Sequence, residues 1–268
     1  MSPDLAFWLA LALKMAVTAG FVVTAAMVAE RGGPAIGAMI ATLPVAAAPA
    51  YVFLALDHDS QFIANSALGS LSANAVTGIF ALAFALTAQR HGLLVSILTA
   101  EGVWFVLAFA LSSVGWTLFS VVVFNVVVFA ICLPVAARLC HVPMPPAARR
   151  WYDIPFRAFM VACLVAVVVG TSTRVGPAIT GTLAVFPIVM SSLMLIFQPR
   201  VGGPAAAALI ANTVWGLAGF STALVVLYLA AVPLGTWTAY ALSLATSIAW
   251  NFTVWSLRRR RAMRAATR

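Results

Sequence analysis

Glu101 is the residue in this sequence on which chemistry could turn. It lies inside the apolar stretch 92–113, about ten residues from its start, or ~15 Å along a helix. A carboxyl at that depth is costly to hold charged in hydrocarbon, so proton coupling is the functional reading. The plain alternative is a hydrogen-bonded carboxyl that fixes helix packing. Lys14, in the first apolar stretch 6–29, is the companion cation. It reads as an interfacial anchor whose ammonium snorkels to the headgroups, or, facing inward, as a partner for Glu101 or for an anionic substrate.

A second set of residues has the chemistry of a binding site. Pro44 and Pro187 lie in the middle of apolar stretches, where proline removes a backbone hydrogen bond and breaks the helix. In lipid such a break survives only where protein or a water-filled cavity satisfies the freed groups. Thr42, Ser191 and Ser192 lie beside the two prolines, and Asn74 and Asn212 stand on adjoining stretches at similar depth. Pro44, Pro187, Thr42, Asn74, Asn212, Ser191 and Ser192 are therefore the expected substrate-binding residues, with Glu101 and Lys14 for coupling. The competing account is a pair of packing kinks held by small and polar residues.

Other chemistry finds no residues. No HExxH, GxSxG, Walker loop or dinucleotide fingerprint occurs,. The histidines His58, His91 and His141 fall in loops, and Cys132, Cys140 and Cys163 stand apart. Neither a catalytic constellation nor a metal site can be assembled, and no cofactor or enzymatic activity is expected. Asp57, His58 and Asp59 read as a solvated loop, with cation binding or sensing of external pH as the functional alternative.

The elements that must position these residues follow from composition. Of 268 residues, 64% are apolar and 8% charged, too few charges to solvate a globule of this length. The expected fold is all-α and membrane-integral. Cutting at charges and at Gly/Pro punctuation gives nine spans of suitable length: 6–29, 34–56, 62–88, 92–113, 117–137, 155–172, 176–197, 203–231 and 233–256. With the N-terminus outside, thirteen of the fifteen basic residues fall on the cytoplasmic side and Arg174 alone in an external loop, the asymmetry that sets orientation. The net charge of +9 thus reports topology, and nucleic acid is not an expected partner. Asp4 ahead of the first apolar run and Lys14 within it argue for a first span over a cleaved signal.

The chain also repeats itself. Gly33-Pro34-Ala35-Ile36 is closed by Pro44, and Gly176-Pro177-Ala178-Ile179 by Pro187. The two windows, GPAIGAMIATLP and GPAITGTLAVFP, agree at six of twelve positions at an offset of 143. Asn74-Ala-Val-Thr-Gly78 is echoed by Asn212-Thr-Val-Trp-Gly216. In the nine-span topology the copies enter from opposite faces, which makes an inverted duplication of four spans, one connecting span and four spans. Residues 1–116 form the first repeat, 117–154 the connecting span and a basic linker, 155–257 the second repeat, and 258–268 a basic cytoplasmic tail. Paired breaks in two inverted halves point to a midplane site.

The run Glu30-Arg31, Gly33-Pro34 and Leu43-Pro44 resembles that of small bacterial GlpM-like membrane proteins, single units of about four spans. The resemblance covers about 60 residues in each half. It implies a bacterial inner-membrane protein made of two such units fused in inverted sense, and brings no substrate. The functional expectation is a small permease carrying a polar or anionic solute by alternating access, with proton coupling. The expected partners are a small-molecule or lipid-headgroup substrate, membrane lipids and, as an option, a second copy in a homo-oligomer. The rival is a non-transporting subunit, scaffold or lipid flippase serving envelope polysaccharide or lipid assembly. Expected localisation is the bacterial cytoplasmic membrane, with the N-terminus outside and the C-terminus inside.

Overall fold

The computed structural model describes residues 3–31, 47–140, 142 and 150–266 of the 268. Among them the chain is helical and forms no strand. The helices are α1 (Pro3–Arg31), α2 (Ala47–Asp57), α3 (Ser60–Thr87), α4 (Leu93–Ser112), α5 (Leu118–Leu139), α6 (Asp153–Ala184), α7 (Ile188–Val201), α8 (Gly203–Leu234) and α9 (Thr236–Ala266). Six helical stretches among the described residues are long and apolar enough to cross a membrane,. They are Trp8–Val28, Ser60–Thr87, Leu93–Ser112, Leu118–Leu139, Asp153–Val201 and Gly203–Leu234. The architecture is that of a multi-pass helical membrane protein.

Local sequence sets the boundaries. Asp59 starts α3, its carboxylate accepting the Phe62 N–H at 2.8 Å, and Thr117 starts α5 in a reciprocal cap with Ser120, satisfying orphan donors of the first turn. Gly176 turns α6 sharply on itself with φ 77°. Gly202 (φ 82°) and Gly235 (φ 81°) make the corresponding corners between α7, α8 and α9. This left-handed φ carries no steric cost for glycine alone. Pro177 then occupies the first turn of the returning arm, where a missing N–H costs nothing. α9 runs past the expected span end at 256, through the basic tail to Ala266, because arginine, alanine and methionine are all strong helix formers.

α3 is the central pillar. It packs against α4, α5, α6 and α8, and 83% of its apolar window is buried in the protein. A Cβ on Gly181 of α6 would lie 1.8 Å from the Ser66 carbonyl oxygen of α3. One on Gly69 would lie 2.2 Å from the Ala178 carbonyl oxygen. The two backbones touch with no side chain between them, the small-residue packing that membrane helices use. Polar side chains lock the same pillar. Asn74 donates to the Leu217 carbonyl and to Ser221 Oγ, both at 2.8 Å, and Ser221 donates to Asn125 Oδ1 at 2.8 Å. Asn125 then donates to the Leu71 carbonyl at 2.9 Å, so one buried network joins α3, α5 and α8.

The apolar interior falls into two clusters. One gathers Phe80, Phe84, Trp104, Phe129 and Met194, and the other Tyr51, Leu54, Leu71, Val165 and Leu227. Val185 belongs to the first and Ala184 to the second, and Phe186 packs against both. The interruption between α6 and α7 thus sits where the two cores meet.

Candidate functional site

The helix stops at Ala184 and restarts at Ile188, with Pro187 at the restart (φ −74°, ψ 41°). This is the break expected at Pro187. Its backbone is satisfied locally: Val185 and Phe186 N–H groups bond back to Thr182 and Leu183, and Ile188 N–H bonds to the Phe186 carbonyl at 2.7 Å. The Pro187 carbonyl accepts the Ser191 N–H at 2.9 Å. A break this deep in an apolar bundle needs a protein neighbour, and α4 supplies it.

The returning arm and α7 run antiparallel along α4. Phe186 meets Trp104 and Phe105, Ser191 meets Glu101, and Gln198 donates to the His91 carbonyl. One face of α4, residues 101, 104 and 105 at helical spacing, grips the break. The Trp104 ring is 4.9 Å from that of Phe186, edge to face, and its indole N–H donates to Thr77 Oγ1 at 3.1 Å. Ser191 Oγ lies 2.5 Å from Glu101 Oε1 and 3.0 Å from the Pro187 carbonyl oxygen. Glu101 Oε2 is buried without a hydrogen-bond partner.

Beyond the aromatic cluster, toward Gly176, a cavity of about 320 Å³ opens between α3, the end of α4 and the returning arm. Asn65, Gly69, Ser72, Ser112, Pro177 and Thr182 supply its polar and small walls. Trp104, Phe105 and Phe186 therefore stand between this cavity and the Glu101 carboxyl. At the opposite end the two arms are tied together. Arg200 holds Asp153 through two contacts of 2.7 and 2.6 Å, joining the start of α6 to the end of α7, and the backbone of Gly203 rests against Ala88.

The expected site residues separate into groups. Pro187, Ser191 and Glu101 come together. Ser192 is buried and donates to the Val189 carbonyl of its own helix. Asn74 works in the α3–α5–α8 network, and Asn212 bonds its own helix at Ala208. Thr42 and Pro44 lie outside the described residues. Lys14 does not reach Glu101: it pairs with Asp57 at 2.6 Å and lies over the Phe53 ring. Packing of α1 beside α2 puts the ammonium next to the carboxylate ending that helix.

The Asp57–Asp59 segment is correspondingly more than solvated loop. His58 stacks on Phe62 and bonds Ser172 at 2.8 Å through Nε2. Burial holds its imidazole below the ordinary histidine value, against the opposing pull of Asp57 and Asp59 and with help from Lys14. Asn125, Ser221 and the Asp153–Arg200 pair were not among the expected residues. A lone asparagine in the valine-rich run 121–128 is the signal that marks Asn125, since a polar group there must find a partner.

Helix length, polarity and packing define the class of protein, a polytopic α-helical membrane protein with a proline-interrupted helix gripped by an acidic neighbour. Comparison with family models, with curated proteins and with solved structures finds no match to the chain.

Proposed function

We propose that this chain is a small secondary transporter that carries a polar or anionic solute by alternating access, with Glu101 coupling the movement to protons. The observation that carries the reading is the break at Pro187, set where two hydrophobic clusters meet and touched by the one carboxyl in the middle of α4. A break between two cores can act as a hinge, and an intramembrane carboxyl on a hinge is the arrangement that proton-coupled carriers need. The cavity on one side of Phe186 and the Arg200–Asp153 tie on the other give the bundle one open and one closed end.

In the full proposal the chain makes nine spans arranged 4 + 1 + 4, and Pro44 supplies the matching break of the inverted first half. The positive-inside asymmetry and the GlpM-like resemblance support a bacterial cytoplasmic membrane with the C-terminus inside. The cavity then opens outward and the Arg200–Asp153 tie faces the cytoplasm.

The test is uptake by proteoliposomes holding the purified chain under an imposed pH gradient. A mixture of polar and anionic metabolites is offered and the lumen contents are read by mass spectrometry. The proposal expects one solute class to accumulate with the wild type and to stay at the empty-liposome level with Glu101→Gln, which folds normally. Accumulation that is equal in the two proteins, with the same pH dependence, removes Glu101 as the coupling group. No accumulated solute from any class favours a scaffold.

A further inference from the structure

We infer that Ser191 relays the protonation of Glu101 to the helix break, by moving its single hydroxyl hydrogen between the Glu101 carboxyl and the Pro187 carbonyl. Ser191 Oγ contacts two oxygens, Glu101 Oε1 at 2.5 Å and Pro187 O at 3.0 Å. A serine hydroxyl has one hydrogen to give. The Pro187 carbonyl can only accept, so it is bonded through this contact only when the hydroxyl hydrogen points at it. Both contacts are then hydrogen bonds only if the hydrogen between Ser191 and Glu101 belongs to the carboxyl.

Protonated Glu101 therefore donates to Ser191, and Ser191 donates to Pro187. When the proton leaves, the carboxylate becomes a pure acceptor and the stronger claimant on the hydroxyl hydrogen, because bonds to an ionised group are about twice as strong as neutral ones. Ser191 turns to it and the Pro187 carbonyl keeps only its backbone bond from the Ser191 N–H. The second carboxyl oxygen, buried and without a donor, fits the protonated form, since an ionised carboxylate would leave it uncompensated. The proton leaves from Glu101 to water and returns there. No other bond is made or broken.

The consequence falls on a segment poised to move. Loss of the hydroxyl bond loosens the first turn of α7, and Phe186, one residue before Pro187, is a ring that packs against both cores and on Trp104 and Phe105. The elements packed on α4 are α3, α6 and α7. α3 carries no ionisable side chain, α7 carries Arg200, which is paired with Asp153, and α6 adds Asp153, Arg157, Cys163 and Arg174. The relay deepens the transport reading of the same site and rests on it for its role in the cell. The hydrogen transfer itself is testable without a substrate.

The test uses the full chain in lipid nanodiscs and reads two quantities across pH. Infrared difference spectra follow the carboxyl C=O band of Glu101, identified by its absence in Glu101→Gln. Hydrogen exchange follows the amides 185–191, corrected for intrinsic chemistry. The relay expects exchange to rise about fivefold as the band disappears, the weight of one hydrogen bond of about 1 kcal/mol. In Ser191→Ala the band still titrates but exchange no longer follows it, and Ser191→Thr restores the link. Glu101→Gln, whose amide still donates to Ser191, stays slow at every pH. A pH response in Ser191→Ala equal to that of the wild type overturns the inference, as does a Glu101 band that does not titrate while the protein stays folded. Neither readout uses transport, so a failure to carry solute would overturn the transporter reading alone.

Discussion

Several buried polar side chains in this bundle are held by hydrogen bonds that cross between helices. Asn125 shows the principle most simply, with its amide nitrogen serving the Leu71 and Val121 carbonyls and its oxygen accepting from Ser221. Asn125→Ala removes the side-chain bonds that tie α5 to α3 and α8, while the two carbonyls keep their helical bonds and Ser221 keeps the Leu217 carbonyl, and a loss of about 1–2 kcal/mol is expected. The apparent melting temperature in detergent should fall. The double variant Asn125→Ala/Ser221→Ala should cost less than the sum of the two single changes, because the residues share one network. Additive losses would mean that the two residues act separately. Glu101 differs from Asn125 in that one of its oxygens is left without a partner. Residue types alone singled out Glu101, Ser191 and Pro187, and the fold brings these three together. Asn74 and Asn212 shared their polarity and depth, but depth does not say which face of a helix a side chain occupies. Their helices turn them to other partners.

Between helices the decisive contacts are made by backbone. The returning arm of α6 crosses α3 so closely that Gly181 and Gly69 have no room for a methyl group. Gly181→Ala must push the two helices apart and is expected to cost about 1–3 kcal/mol. Gly170→Ala, on the same helix with nothing within 4 Å of the new Cβ, should be neutral or gain up to about 1 kcal/mol. Equal melting temperatures for the two variants would contradict the close crossing. The corner at Asp57–Asp59 forms a second, titratable contact between elements. Burial favours neutral His58, so the folded protein binds fewer protons there than the unfolded chain. Stability from this contact is therefore full above the ordinary histidine range and is lost as pH falls through that range toward the lowered value. Melting curves at about pH 7.5 and about pH 5.5 should show an acid loss in the wild type that is smaller in His58→Gln, and an unchanged loss would place the acid sensitivity elsewhere. The glycine corner at Gly176 and most helix positions were legible in the sequence, because length, Gly-Pro punctuation and hydropathy are local properties, whereas the expected span 233–256 is a helix outside the six apolar stretches and 34–56 is described only as the short helix 47–57. The Lys14–Asp57 and Arg200–Asp153 pairs were not, because partner choice is fixed by tertiary packing across 43 and 47 residues of sequence.

For the molecule as a whole, we propose a bundle whose two cores meet at a broken helix, open at one end and tied at the other. Nine spans, inversion of the halves and the outward direction of the cavity belong to that proposal together. The central claim is that the Pro187 break lies on a path reachable from both faces of the membrane. Single cysteines at Phe186 and Ser191, in a chain lacking Cys132, Cys140 and Cys163, test it most directly when labelled with a membrane-impermeant maleimide. Right-side-out and inside-out vesicles should both label these positions, and Asp153→Asn, which loosens the tied end, should raise the rate from the inside-out face. Labelling from neither face, in protein that remains folded, would contradict the account and leave the break as a packing kink.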